Sequence, residues 1–194
     1  PSMLHAGIQS AYEKNSKQAL AQKGISVYTD KTPNAEKAYP VLATVEGEHF
    51  LSNPVLAEEV FGPYSILIQC ENLIELEQVW KSLKGQITTT IMGTEQDLND
   101  HSHLLSHAFL LAGRVVINGV PTGVEVCDSM VHGGPYPAST DSRFTAVGVK
   151  AVDRWLRPVS YQNWPDHLLP IALQNNNPLK IWRTINGQLS KEVV

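Results

Sequence analysis

Between residues 64 and 118, short β-favouring runs alternate with stretches of helical spacing, and this alternation constrains the fold more than any other feature of the chain. Tyr64-Ser65-Ile66-Leu67-Ile68-Gln69-Cys70 is an apolar run of strand length, read as a strand buried on both faces. Asn72 then offers an N-cap to a helix in which Leu73, Leu76, Trp80 and Leu83 recur at three- and four-residue steps, with Gly85 as its end. Residues 86–92 are β-rich through Ile87, Thr88, Thr89, Thr90 and Ile91. Thr94 predicts the cap of a second helix running to Ala112, stopped by Gly113, and 114–118 is another short apolar strand. Strand, helix, strand, helix, strand at this spacing predicts an α/β fold, a mostly parallel sheet joined by crossover helices.

The flanks extend the pattern. Leu4, Ile8, Ala11 and Ala19, with lysines interspersed, predict a helix over 3–22, and Gly24 is its left-handed stop. Residues 41–45, 46–48 and 49–51 read as strand, turn and strand, with Pro40 placed where its missing N–H breaks no ladder bond. From Gly119 to Ser142 the composition shifts to Gly, Pro, Ser, Thr and Asp, a long loop of the kind that carries function or stays disordered. Residues 144–156 return to helical spacing. Near the end, Asn186-Gly187 between 181–185 and 188–190 predicts a tight hairpin, because this pair accepts positive φ. This hairpin makes residues 158–194 a C-terminal β extension on a main domain of residues 1–157.

Composition excludes several classes. With 42% apolar and 18% charged residues, the 194-residue chain can bury a core and is not disordered. A net charge of −4 and Lys/Arg residues that form no dense run leave no footprint for nucleic acid. No stretch approaches the roughly 20 apolar residues of a membrane span. Pro1-Ser2-Met3-Leu4-His5 has neither a basic nor an apolar signal-peptide region and reads as a boundary rather than a native start. Cys70 and Cys127 lie far apart, outside any CxxC, and two free thiols suit a reducing cytoplasm.

Two segments carry the candidate chemistry. Ala57-Glu58-Glu59-Val60-Phe61-Gly62-Pro63-Tyr64 places two carboxylates, an aromatic and a stiff turn at the mouth of the apolar strand. A carboxylate there can accept hydrogen bonds from ligand hydroxyls, and the aromatic can pack on a flat ring. On pattern alone, a helix end with solvated glutamates and a core Phe fits better. About seventy positions on, His132-Gly133-Gly134-Pro135-Tyr136-Pro137-Ala138-Ser139-Thr140 sets paired glycines and prolines before small hydroxyl residues. Paired glycines permit close backbone approach, and the prolines stiffen the exit.

Both segments resemble signatures from the C-terminal half of NAD(P)-dependent aldehyde dehydrogenases, and the resemblance covers about residues 1–165. It implies that Glu59 accepts hydrogen bonds from the two hydroxyls of the nicotinamide ribose and that Phe61 walls one side of the nicotinamide. It places His132 where family members carry an aromatic facing the aldehyde. The extra Pro135, with Thr140 and Ser142 where glycines are common, resembles the branch of the 2,5-dioxovalerate (α-ketoglutarate semialdehyde) and NADP-preferring fatty aldehyde dehydrogenases. Arg143 suits an intersubunit or structural salt bridge better than a carboxylate substrate.

The resemblance also implies what this chain lacks. In the family the catalytic Cys lies upstream of the segment that Pro1–Leu4 resembles, and the general-base Glu, the oxyanion-stabilising Asn and the Rossmann turn lie further upstream. Catalytic residues on this chain are therefore none. The whole protein is expected to oxidise an aldehyde with NADP or NAD through thiolate attack, hydride transfer and hydrolytic release. The chain alone is expected to be inactive, with no cofactor bound; the whole protein is expected to be a homo-oligomer, to whose assembly this chain supplies a C-terminal strand. The competing reading is a non-catalytic α/β ligand-binding module that keeps only the scaffold. Neither remaining motif adds a site: Cys127 sits beside Asp128, which opposes a thiolate, and His103 and His107 lack the Glu at 104 and the third ligand of a zinc site, so no metal is expected.

Overall fold

A computed structural model describes residues 3–29, 38–121 and 123–194. The first helix, α1 (Ala6–Leu20), begins where His5 turns extended and its Nδ1 accepts the Gly7 N–H at 3.0 Å. Its buried side is Tyr12, Ser16 and Ala19, spaced by four and three residues as one helix face requires. The helix closes at Ala21, which bonds back to Lys17; Gly24 takes φ +84° only after that closing turn, reversing the chain rather than stopping the helix.

Strand β1 (Ser26–Val27) runs antiparallel to β2 (Val41–Glu46), and β2 runs parallel to β3 (Tyr64–Gln69), in register from Val41↔Tyr64 to Glu46↔Gln69. The turn and second strand expected at 46–51 are instead a helix, α2 (Gly47–Ser52). The reason is Phe50, which is buried with Val45, Leu56 and Val79. A helical turn directly after β2 swings that ring beneath the sheet, where an extended chain would carry it past. Ile66 and Ile68 of β3 pack on the same cluster. The opposite face of β3 is open, with Leu67 50% exposed, so this strand is buried on one face and not on both.

Helix α3 (Leu73–Ser82) starts at the expected cap: Asn72 Oδ1 accepts the N–H groups of Ile74 and Glu75, both at 3.0 Å. It ends at Leu83, which turns extended and packs on the core before Gly85 is reached. Strands β4 (Gln86–Ile91) and β5 (Ala112–Ile117) pair in parallel. The single helix expected between them is two, α4 (Glu95–Asp100) and α5 (Ser102–Leu111), broken at His101. Asn99 and Asp100 end α4 because both are weak helix formers, and the Asp100 charge opposes the dipole at a C-terminus. Thr94 caps α4 in a reciprocal capping box with Asp97. Gly113 is no stop; it is the second residue of β5.

The parallel α/β pattern is therefore present, divided between the sheets β1-β2-β3 and β4-β5, with β3 and β4 as edge strands. Past β5 there is, among the described residues, no helix or strand until a 3-10 run at Val149–Trp155, which replaces the helix expected at 144–156. Residue 122 of the long loop lies outside the described residues. The helical spacing is interrupted because the Thr145 hydroxyl takes the Val147 N–H and Gly148 adopts φ +97°.

By contact the chain divides into Pro1–Arg154 and Trp155–Val194. Within the second unit, β6 (Arg183–Ile185) and β7 (Gln188–Ser190) form the expected hairpin, with Asn186 at φ +50° and Gly187 at +82°. Buried Asn177 donates to the carbonyls of Ile181 (3.0 Å) and Lys191 (2.8 Å), holding that unit together through polar contacts. Among the described residues, no helix is long and apolar enough to cross a membrane.

Candidate functional site

The approach to β3 builds the site. After α2, residues Pro54–Ala57 make a single 3-10 turn whose first N–H groups are met by Asn53: its Oδ1 accepts from Val55 at 3.2 Å. Leu56 anchors that turn in the core. Glu58 leaves it in an extended conformation, so Glu59, Val60 and Phe61 run along the surface before Gly62-Pro63 deliver the chain to β3.

Glu59 and Phe61 line one cleft of about 810 Å³, together with Tyr64, Ser65, Ile66, Gln86 and Thr88, Thr89 and Thr90. Successive strand residues point to opposite faces, so a cleft lined by three in a row runs along a strand edge and not across a face. The same holds for Ser65 and Ile66, and the cleft therefore lies between the free edges of β3 and β4. Phe61 is 62% exposed at its lip, and the core-Phe reading of this position fails. On the walls, Tyr64 Oη and Thr90 Oγ1 are buried and, among the described residues, lack a hydrogen-bond partner. Burial pushes the Tyr64 phenol pKa up, so the group is a neutral donor. The threonine run was legible in the sequence only as β propensity; nothing marked it as a cleft wall.

The second motif meets this wall at the start of β4. A Cβ on Gly134 would fall on the Gln86 carbonyl, one on Gly85 on the Pro135 carbonyl, and one on Gly113 would stand 2.8 Å from the Gly133 carbonyl carbon. The loop backbone thus packs directly on the first residues of β4 and β5, and its glycines serve that close approach. Thr145 pins the loop: its Oγ1 accepts the His132 N–H at 2.9 Å, while the His132 carbonyl accepts the Ala146 N–H at 2.9 Å. No sequence signal distinguished Thr145 from an ordinary loop residue. His132 is not among the residues lining the Glu59–Phe61 cleft, and its side chain is half-buried in the pinned loop.

Charges near the two motifs are mostly paired at short range. Lys84 and Glu58, both exposed, approach to 3.9 Å and join the entries of β4 and β3. Such a pair contributes little in water. Arg143 donates through Nε (2.9 Å) and Nη2 (2.6 Å) to Asp141, and these bonds hold the Asp141 carboxyl down at about 2. The guanidinium fork is thus engaged within its own loop.

On the helices, Glu77 accepts from Lys81 at 2.8 Å and contacts His107 Nε2 at 2.9 Å; these contacts, Lys81 first, lower its pKa. Among the described residues, no group of three His, Cys, Asp or Glu gathers as a metal site. Burial, with Glu75 and Glu46 nearby, raises the Cys70 pKa, as expected for an inert core thiol. Cys127 Sγ lies 3.4 Å from Ser129 Oγ.

No family model matches the chain. It is 42% identical, over 96% of its own length, to alpha-ketoglutaric semialdehyde dehydrogenase 2 of Azospirillum brasilense, and it spans 36% of that relative. The Delta-pyrroline-5-carboxylate dehydrogenase of Mycobacterium tuberculosis superimposes with a TM-score of 0.60 at 14% identity, covering 87% of this chain and 32% of that one. The NADP+ complex of succinic semialdehyde dehydrogenase from Streptococcus pyogenes gives 0.53 at 18% identity, covering 69% and 28%. The chain thus spans about a third of the length of the proteins it matches.

Proposed function

We propose that the chain is one part of an aldehyde dehydrogenase, an enzyme that oxidises an aldehyde to a carboxylic acid with NAD+ or NADP+, a reading supported by its 42% identity to an alpha-ketoglutaric semialdehyde dehydrogenase and by the fold it shares with an NADP+-bound succinic semialdehyde dehydrogenase. Its task in that enzyme is to hold the nicotinamide end of the cofactor. The observation that carries this reading is the shared position of Glu59 and Phe61 at the lip of one cleft, both exposed toward it. An exposed carboxylate can accept two charge-assisted hydrogen bonds from vicinal ribose hydroxyls, and a phenyl beside it can cover one face of a flat ring. The unpartnered Tyr64 Oη and Thr90 Oγ1 leave further donors on the walls for a polar ligand or for the rest of the polypeptide. The cofactor, when bound, supplies the hydride acceptor.

The relative's name supports an α-ketoglutaric semialdehyde type of substrate. His132 is proposed as a substrate-pocket residue, supported by a backbone that Thr145 and Ala146 fix on both sides. The nucleophile, general base and oxyanion donor are assigned to the two thirds of the relatives that this chain does not span, so the chain alone is inactive. Residues 1–157 form its share of the catalytic domain. Residues 158–194 serve homo-oligomer assembly, supported by the exposed Trp164 and Trp182 and the short hairpin. Two free cysteines support a cytoplasmic location.

The test is steady-state kinetics on the full-length enzyme. Glu59→Gln keeps the shape and removes the charge, a loss of about 1–2 kcal/mol of hydrogen bonding, or roughly 5- to 30-fold in cofactor KM. Phe61→Ala is expected to raise the same constant. Cofactor KM within about twofold of wild type in both variants would overturn the assignment.

A further inference from the structure

We propose that Tyr12, on the first helix, is the positioning residue that aims the Glu59–Phe61 segment, an inference that rests on the cofactor reading above. Nothing in the sequence marks this tyrosine, which sits in a mostly polar helix. In the structure it is 4% exposed, and its ring and its hydroxyl act on the same turn.

The hydroxyl lies 2.6 Å from the Tyr39 carbonyl and 3.3 Å from the Pro63 carbonyl. A phenol has one hydrogen, so the shorter contact is the donated bond and Pro63 is the secondary acceptor. Tyr39 stands just before β2, and Pro63 immediately precedes β3. One side chain therefore ties together the entries of two parallel strands, which are joined a second time where Val41 N–H donates to the Pro63 carbonyl at 2.8 Å.

The ring does the rest. Gly62 has φ +154°, and a Cβ there would clash with the Tyr12 ring at Cδ2, with Cγ and Cε2 only 2.9 Å away. The turn that follows Phe61 is thus pressed against an aromatic face and admits no side chain. Phe61 is 62% exposed, so packing of the phenyl itself does little to fix its direction. Its direction comes from the backbone of Gly62-Pro63, and Tyr12 holds that backbone through its ring and its hydroxyl.

The test uses the full-length enzyme. Tyr12→Phe keeps the ring and deletes the donated bond; the expected result is a rise of about fivefold in cofactor KM, with kcat and the aldehyde KM nearly unchanged. Gly62→Ala attacks the same contact from the other side and is expected to raise cofactor KM as well, so it carries the test if Tyr12→Phe does not fold. Leu104→Ala, a core substitution on α5 outside the cleft lining, is the control: it lowers Tm and leaves cofactor KM in place. If Tyr12→Phe and Gly62→Ala lower Tm as Leu104→Ala does while cofactor KM stays put, Tyr12 merely packs and the proposal falls. If Glu59→Gln and Phe61→Ala leave cofactor KM unmoved, the cofactor reading falls first, and this inference with it.

Discussion

Replacing Gly113 with alanine separates the close-approach reading of the Gly-Gly loop from simple strand propensity. Gly113 sits in β5 with a backbone outside the left-handed region, so alanine brings no conformational strain there. On propensity alone alanine in place of a strand glycine gains roughly 0.5–1 kcal/mol. The structure predicts the opposite sign. The new Cβ would lie 2.8 Å from the Gly133 carbonyl carbon and 3.1 Å from the Gly134 Cα, where carbon atoms ordinarily meet at about 3.5–4.0 Å.

The opposing atoms are backbone, so no rotamer change relieves the clash, and the loop is pinned by Thr145 and by Ser139 Oγ donating to the Gly134 carbonyl at 2.8 Å. Overpacking costs about 1–3 kcal/mol, and a clash with pinned backbone falls in the upper part of that range, about 2–3, leaving a net loss of roughly 1–2.5 kcal/mol after the propensity gain and a Tm lower by about 2–10 °C. Gly123→Ala is the control, since nothing lies within 4 Å of a Cβ there; it should stay within about 0.5 kcal/mol of wild type. Thermal unfolding followed by circular dichroism reads both. A Gly113→Ala Tm equal to or above wild type would refute the packing argument.

Two further expectations are simpler to check. Asn72→Ala removes the acceptor that both Ile74 and Glu75 use, and should lower the urea midpoint by about 1 kcal/mol of stability with m unchanged, while Asn72→Asp retains most of it. The Asp141 carboxyl titrates at about 2, below its usual value, so the favourable Arg143 contact persists at and above the ordinary carboxylate range and is lost as pH falls through about 2; carboxyl NMR should show that midpoint rising toward the ordinary value in Arg143→Gln.

What the sequence made legible is what local chemistry decides. The Asn72 and Thr94 caps and the Asn186-Gly187 turn each involve bonds within three or four residues, so composition at those spacings suffices to place them. Where the deciding neighbour is remote, the reading fails. Residues 49–51 have strand-like composition, yet Phe50 is drawn to Val45 and Val79 and the segment coils. Gly85 and Gly113 follow helical stretches as a stop signal would. Neither stops a helix: each leaves room for a loop some twenty to fifty positions later. The motif around Glu59 and Phe61 could be recognised as a pattern, but the cleft it lines also needs the edge of β4, supplied by another part of the chain.

Those remote contacts also organise the site. One wall of the cleft is the edge of β4, held at Gln86 by the backbone of Gly134; the other is the edge of β3, whose entry Tyr12 holds at Gly62 and Pro63. Each wall is thus fixed by a residue, Gly134 or Tyr12, that does not itself line the cleft. The separation between Phe61 and the threonines of β4 therefore depends on two independent supports. Displacing either one changes the width of the cleft before it changes any group inside. Loosening the loop support and loosening the helix support should therefore act additively on cofactor affinity, as distant and unshared contacts do. A double variant of Gly113→Ala with Tyr12→Phe that lost much more affinity than the sum would mean that the two supports are one.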